Sequence, residues 1–138
     1  MTIADESLVR LRIIGDDLVP GEITTLLACE PDTAHTKGDA WEGPKTGKTR
    51  TRKTGCWSIG AARREPENIV AQISEVLDKL PQDLTIWRQL GEKYALDFFC
   101  GVFMSSPNNG LAFPPGLMRR LSDRGIALSL DIYGPCDE

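Results

Sequence analysis

Residues 95–104 read Ala95-Leu96-Asp97-Phe98-Phe99-Cys100-Gly101-Val102-Phe103-Met104. Side chains alternate across a strand, so Leu96, Phe98, Cys100, Val102 and Met104 share one face and Phe99 and Phe103 the other. A period of two over this length predicts a long strand. Two further segments share the period. In Leu8-Val9-Arg10-Leu11-Arg12-Ile13-Ile14, Val9, Leu11 and Ile13 point one way and Arg10, Arg12 and Ile14 the other. Over Ile126–Tyr133, Ile126, Leu128, Leu130 and Ile132 are expected inside, and Ala127, Ser129, Asp131 and Tyr133 outside. Gly55–Gly60 is a shorter strand with Trp57 and Ile59 on one face.

Helical signals lie between these strands. Pro20 opens a short helix with Ile23, Leu26 and Leu27 as its apolar stripe, stopping by Pro31. Pro66 is expected to start the longest helix, carrying Ile69, Ile73, Val76, Leu77 and Leu80 as far as Pro81. Asp83 can cap the next, with Ile86, Trp87 and Leu90 inside. Pro114-Pro115 opens the last, with Leu117, Met118 and Leu121, and Gly125 ends it. Asn109-Gly110 predicts a hairpin turn, with Leu111 to Phe113 returning. Strand, polar turn, proline and helix occur twice, at 8–28 and 95–133, an echo of two related βα halves. The predicted class is α+β: a mostly antiparallel sheet of about four to six strands, with three or four helices mainly on one face.

The length, 138 residues, suits a single globular domain over 1–138. Residues 1–7 are expected to be a disordered or extended N-terminus, and 32–54 a long polar, basic loop or edge-strand segment with a short strand near Thr36. No apolar run is long enough to span a bilayer, and the polar start is unlike a signal peptide. The expectation is a cytoplasmic chain with no membrane partner.

Cys29, Cys56, Cys100 and Cys136 are widely spaced, without a Cys-x-x-Cys pair, and read as reduced packing residues. The one histidine, His35, has no cysteine near it in sequence, and no spacing gathers Asp16, Asp17, Asp97 and Asp131. Neither a metal site nor a cofactor is expected. Gly43-Pro44-Lys45-Thr46-Gly47-Lys48-Thr49 resembles a phosphate loop but has three residues between its glycines, where that loop has four. Asp131 is expected to pair with Arg10 or Arg12 across strands.

Charge is unevenly placed. Residues 37–64 hold eight basic and two acidic residues, net +6, so with a chain total of −4 the remainder carries −10. The basic stretch reads as a solvated edge that resists sheet-to-sheet aggregation. Its alternative is an anion grip by Lys37, Lys48, Arg50 and Arg52. If strands 8–14, 95–104 and 126–133 are neighbours, the sheet's outer face gathers Arg10, Arg12, Phe99, Phe103 and Tyr133. Two phenylalanines on one strand favour coverage of this face, for which a homodimer is one form.

Leu11-x-Ile13-x-Gly15-Asp16-Asp17-Leu18-x-Pro20-x-Glu22-Ile23-Thr24, with Pro31, Lys37-Gly38-Asp39, Gly55-x-Trp57-Ser58 and Leu128-x-Leu130-Asp131-Ile132-Tyr133, resembles the bacterial family of domain of unknown function number 4279. The resemblance spans nearly the whole chain. It implies a bacterial source and a small single domain, and it carries no activity or catalytic residue with it.

The expected function is a non-enzymatic protein-interaction module with a protein partner still to be identified, such as an immunity-like protein that binds a basic partner. Its candidate surface is Lys37, Lys48, Arg50, Arg52, Trp57, Arg10, Arg12, Phe99, Phe103 and Tyr133. Two alternatives stand beside it. One is a small-ligand or phosphate-ester enzyme using the basic 37–53 segment. The other is weak single-stranded nucleic-acid binding through the arginines and aromatics, which the −10 elsewhere in the chain opposes.

Overall fold

The computed structural model describes residues 4–43 and 47–135. In chain order these form β1 (Glu6–Gly15), α1 (Pro20–Leu27), β2 (Thr33–His35), β3 (Ala40–Glu42), β4 (Thr49–Thr51), β5 (Gly55–Gly60), α2 (Ile69–Asp78), α3 (Leu84–Lys93), β6 (Ala95–Phe103), α4 (Pro115–Asp123) and β7 (Ala127–Tyr133). Five strands make one sheet in the order β2-β5-β1-β6-β7. All its pairings are antiparallel except β6 with β7. β3 and β4 pair separately as an exposed hairpin. The class is α+β, as the alternation predicts.

The alternating strands place one core. Val9, Leu11 and Ile13 of β1, Trp57 and Ile59 of β5, and Leu96, Phe98, Cys100 and Val102 of β6 are all buried. They join Ile23 and Leu27 of α1, Ile73 and Val76 of α2, Trp87 and Leu90 of α3, and Leu117 and Leu121 of α4 in a single cluster. The helices therefore lie on one side of the sheet, and the other side is open. Burying this many large side chains, each worth about 1.5–3 kcal/mol, is the main force behind the fold.

Four local expectations are corrected. Residues 111–113 form no strand, and Leu111 and Phe113 pack half-buried against the core. Parallel pairing of β6 with β7 needs a crossover, so the chain runs on into α4 instead of turning back. Pro66 does not start a helix. α2 begins at Ile69, where the Asn68 side chain accepts from Ala71 N–H at 3.2 Å and caps the free amide end. Leu130 and Ile132 are not core residues but 39% and 53% exposed, because β7 is a sheet edge that the helix layer does not fully cover. Asp131 meets neither arginine, because β6 lies between β7 and β1. The echo holds for β1–α1 and β6–α4 as strand-then-helix units, while the pairings that follow them differ.

The turn after β1 is fixed by a close backbone approach. A Cβ on Gly55 would lie 2.8 Å from the Gly15 carbonyl oxygen and 3.0 Å from Leu18 Cβ. Gly55→Ala is expected to destabilise the fold by about 1–3 kcal/mol through overpacking, read as a lower urea midpoint. An unchanged midpoint would place β5 farther from β1.

Candidate functional site

The open sheet face is built from the residues that alternation turns away from the helices. β1 supplies Leu8, Arg10, Arg12 and Ile14, and β6 supplies Asp97, Phe99 and Phe103, all half-buried. The register sets Arg12 opposite Asp97 and Arg10 opposite Phe99. Arg12 Nε and Nη2 donate to the two Asp97 oxygens at 2.8 and 2.6 Å. Ser129 Oγ of β7 donates to the same carboxylate at 2.9 Å. The Arg12 guanidinium lies 4.7 Å from the Phe99 ring centre. Its bond to Asp97 raises the Arg12 pKa above its ordinary value, so the guanidinium keeps its charge.

Arg10 is engaged more loosely. Its Nη1 donates to Ser58 Oγ at 3.2 Å, Ser58 and Thr33 share a hydroxyl bond at 2.7 Å, and Asp32 lies at 3.9 Å. Farther along, Phe103 and Tyr133 stack with ring centres 5.0 Å apart and planes 6° from parallel. Tyr133 donates its hydroxyl to Asp131, which raises the phenol's pKa because a phenolate would face a carboxylate. Leu8, Arg10, Phe99, Phe103 and Tyr133 surround a shallow depression of about 220 Å³ over Gly101.

The sequence model of the family described as Domain of unknown function (DUF4279) matches residues 5–135. The chain belongs to this family. No curated protein and no solved structure matches it.

In this DUF4279 chain the candidate residues fall into three places. Arg10, Arg12, Phe99, Phe103 and Tyr133 come together on the open face. Lys37, Lys48, Arg50 and Arg52 lie around β2 and the hairpin. Lys37 Nζ is 3.4 Å from an Asp16 oxygen. The Arg52 guanidinium lies over the Trp41 ring at 4.8 Å, and Arg50 pairs opposite Trp41. Trp57 is no surface residue. It is fully buried on the helix side, with its ring N–H on Thr24 Oγ1 at 3.1 Å. The glycine stretch 43–49 joins β3 to β4, with Gly43 N–H on the Lys48 carbonyl at 3.1 Å. Its residues 44–46, Lys45 included, lie outside the described residues, as do residues 1–3 and Cys136.

His35 and Cys56 are a cross-strand pair on β2 and β5 that the linear spacing hid. Burial, with Arg52 nearby, lowers the His35 pKa, and burial raises that of Cys56. Both shifts favour neutral forms, the reverse of a thiolate–imidazolium nucleophile. Among the described residues, no group of three or more His, Cys, Asp or Glu side chains could hold a metal ion. Cys100 is fully buried, and its thiol is pushed up to about 12 by burial and by Asp97. At pH 8, iodoacetamide is therefore expected to leave Cys100 unmodified until denaturant is added, read by peptide mass. Ready native labelling would mean that the core opens.

Sequence reading set Ile14 on the arginines' face without naming it in the candidate surface, left out Leu8, which shares that face by period, and missed the Asp97–Ser129 partnership. The alternation of β6 carried a signal for Asp97. The parallel neighbour that brings Ser129 beside it was not written locally.

Proposed function

We propose that this chain is a non-enzymatic protein-interaction module and that the open sheet face is its docking surface. The supporting observation is how that face divides its chemistry. The Arg12 charge is already committed to Asp97, and Arg10 shares its charge with Ser58 and Asp32. Phe99, Phe103, Tyr133, Leu8 and Ile14 are what remains to offer. Tyrosine and other aromatics held in place by arginines are typical centres of protein contact. A polyphosphate needs uncommitted cations, so this division favours a protein over a nucleic acid.

One form of the reading is an immunity-like role, in which the acidic remainder of the chain steers a basic partner onto the face. The proposed setting is the bacterial cytoplasm, supported by the free thiols of Cys29, Cys56 and Cys100. Among the described residues no helix is long and apolar enough to cross a membrane. Co-purification from the native host is expected to recover one protein in equal molar amount. Recovery of no such protein across several growth conditions would contradict the reading.

A further inference from the structure

β7 is a sheet edge whose one charged residue, Asp131, accepts from the hydroxyl of its own Tyr133. The β6–β7 register runs without a bulge, and Ala127–Tyr133 contains neither lysine nor proline. Those are the usual devices that keep an edge from pairing. The opposite edge, β2, has only three residues.

The direction of the main-chain groups follows from one bond. The Tyr133 carbonyl accepts from Met104 N–H at 2.9 Å, so the main-chain groups of Tyr133 point toward β6. By alternation those of Asp131, Ser129 and Ala127 do too. The N–H and C=O groups of Leu128, Leu130 and Ile132 therefore point outward, and no described backbone group bonds them on that side. The side chains of Leu130 and Ile132 are 39% and 53% exposed there, and Met118 of α4 is 51% exposed. Arg120 of α4 reaches inward to Asp78 of α2 at 3.1 Å. Met118 lies about 160° round the helix from Arg120, which puts it on the flank nearer the β7 edge.

The outward-bonding residues of this strand are all apolar and centre on Leu130. Leu128 mirrors Ile132. We propose that a second copy of this chain pairs here, β7 antiparallel to β7, with the two-fold axis at Leu130. Leu130 then faces its own counterpart, Leu128 faces Ile132, and Ser129 faces Asp131. The three outward-pointing residues are those that an antiparallel ladder would bond. An axis at Ser129 or Asp131 shortens the ladder, because it sets Ile132 or Leu128 opposite residue 126 or 134, outside β7, and at Asp131 it also sets the two carboxylates face to face. The apolar edge and Met118 are covered together, and the two five-stranded sheets become continuous. This is an isologous contact, in which the same patch serves both copies.

The test needs no other protein, so its outcome is separate from that of the docking face. Sedimentation equilibrium of the whole chain is expected to give the mass of two copies, and Leu130→Lys the mass of one. Circular dichroism should be unchanged in the variant, because Leu130 is exposed. Amide exchange by NMR reads the register. In the wild type the Leu128, Leu130 and Ile132 N–H groups are expected to be protected. In Leu130→Lys those of Leu128 and Ile132 are expected to exchange at least about tenfold faster, while Ser129, Asp131 and Tyr133 stay slow on β6. A wild type of one-copy mass overturns the proposal, including the case where the edge takes a peptide of another protein. A dimer that survives Leu130→Lys, or one in which the Leu130 amide exchanges like a loop, overturns it as well.

Discussion

Trp57→Ala is expected to lower the unfolding free energy by about 3–5 kcal/mol. Trp57 stands at the middle of β5 and is wholly buried among the helix-side residues. Truncation leaves a cavity that the surrounding α1 and β1 residues can only partly fill. It also removes the donor to Thr24 Oγ1, which ties β5 to α1. A domain is ordinarily stable by about 5–15 kcal/mol, so this one change consumes a large share. Urea unfolding should show a lower midpoint with an unchanged slope, and Trp57→Phe should lose much less. A loss below about 1 kcal/mol for the alanine variant would mean that the indole is not packed as described.

Gln72→Leu is expected to cost about 2–4 kcal/mol, although it replaces a polar side chain in the core with an apolar one of similar size. Gln72 and Ser7 are both fully buried. The Gln72 amide donates to the carbonyls of Ser7 and Ala62 at 2.9 and 3.0 Å. Ser7 Oγ donates back to Gln72 Oε1 at 2.5 Å and accepts from Asn68 N–H at 3.0 Å. This network pins the start of α2 to β1. Leucine takes away the donor to the Ala62 carbonyl and the acceptor of the Ser7 hydroxyl proton, while Arg64 N–H stays on the Ser7 carbonyl and Asn68 N–H on Ser7 Oγ, and each lost partner out of water is costly. Adding Ser7→Ala to Gln72→Leu should then cost less than the two single changes summed, since the hydroxyl has already lost its acceptor. Strict additivity would show that the two side chains do not share a network.

The layered plan was legible because period-two segments at 8–14, 95–104 and 126–133 each declare a strand and its two faces. Helix starts were legible at Pro20, Asp83 and Pro115, but not at Pro66, because Asn68 caps α2 instead. The partners of each strand were not. Whether β6 continues to an antiparallel return or a parallel β7 depends on the path of 104–114, which no local residue dictates. The strand order, with β6 between β1 and β7, decides that Asp97, not Asp131, meets Arg12. It also makes β7 an edge, leaving Leu130 and Ile132 exposed despite a pattern that reads as buried. For the candidate site, Arg10, Arg12, Phe99, Phe103 and Tyr133 follow from alternation alone. The separate fate of Lys37, Arg50 and Arg52 does not, because composition shows that charges cluster in sequence without showing that a hairpin carries them off the main sheet. Gln72 gave no sign of its role, since a lone glutamine in a helix usually faces water.

The most direct measurement is a calorimetric titration of the co-purified protein into the wild-type chain and into Phe103→Asp. Phe103 is half-buried on the open face, so its replacement puts a charge into the stacked pair with Tyr133 and leaves the helix-side core intact. The account predicts a loss of about thirtyfold or more in affinity at an unchanged urea midpoint. Equal affinity for the two chains would contradict it and move the docking surface elsewhere.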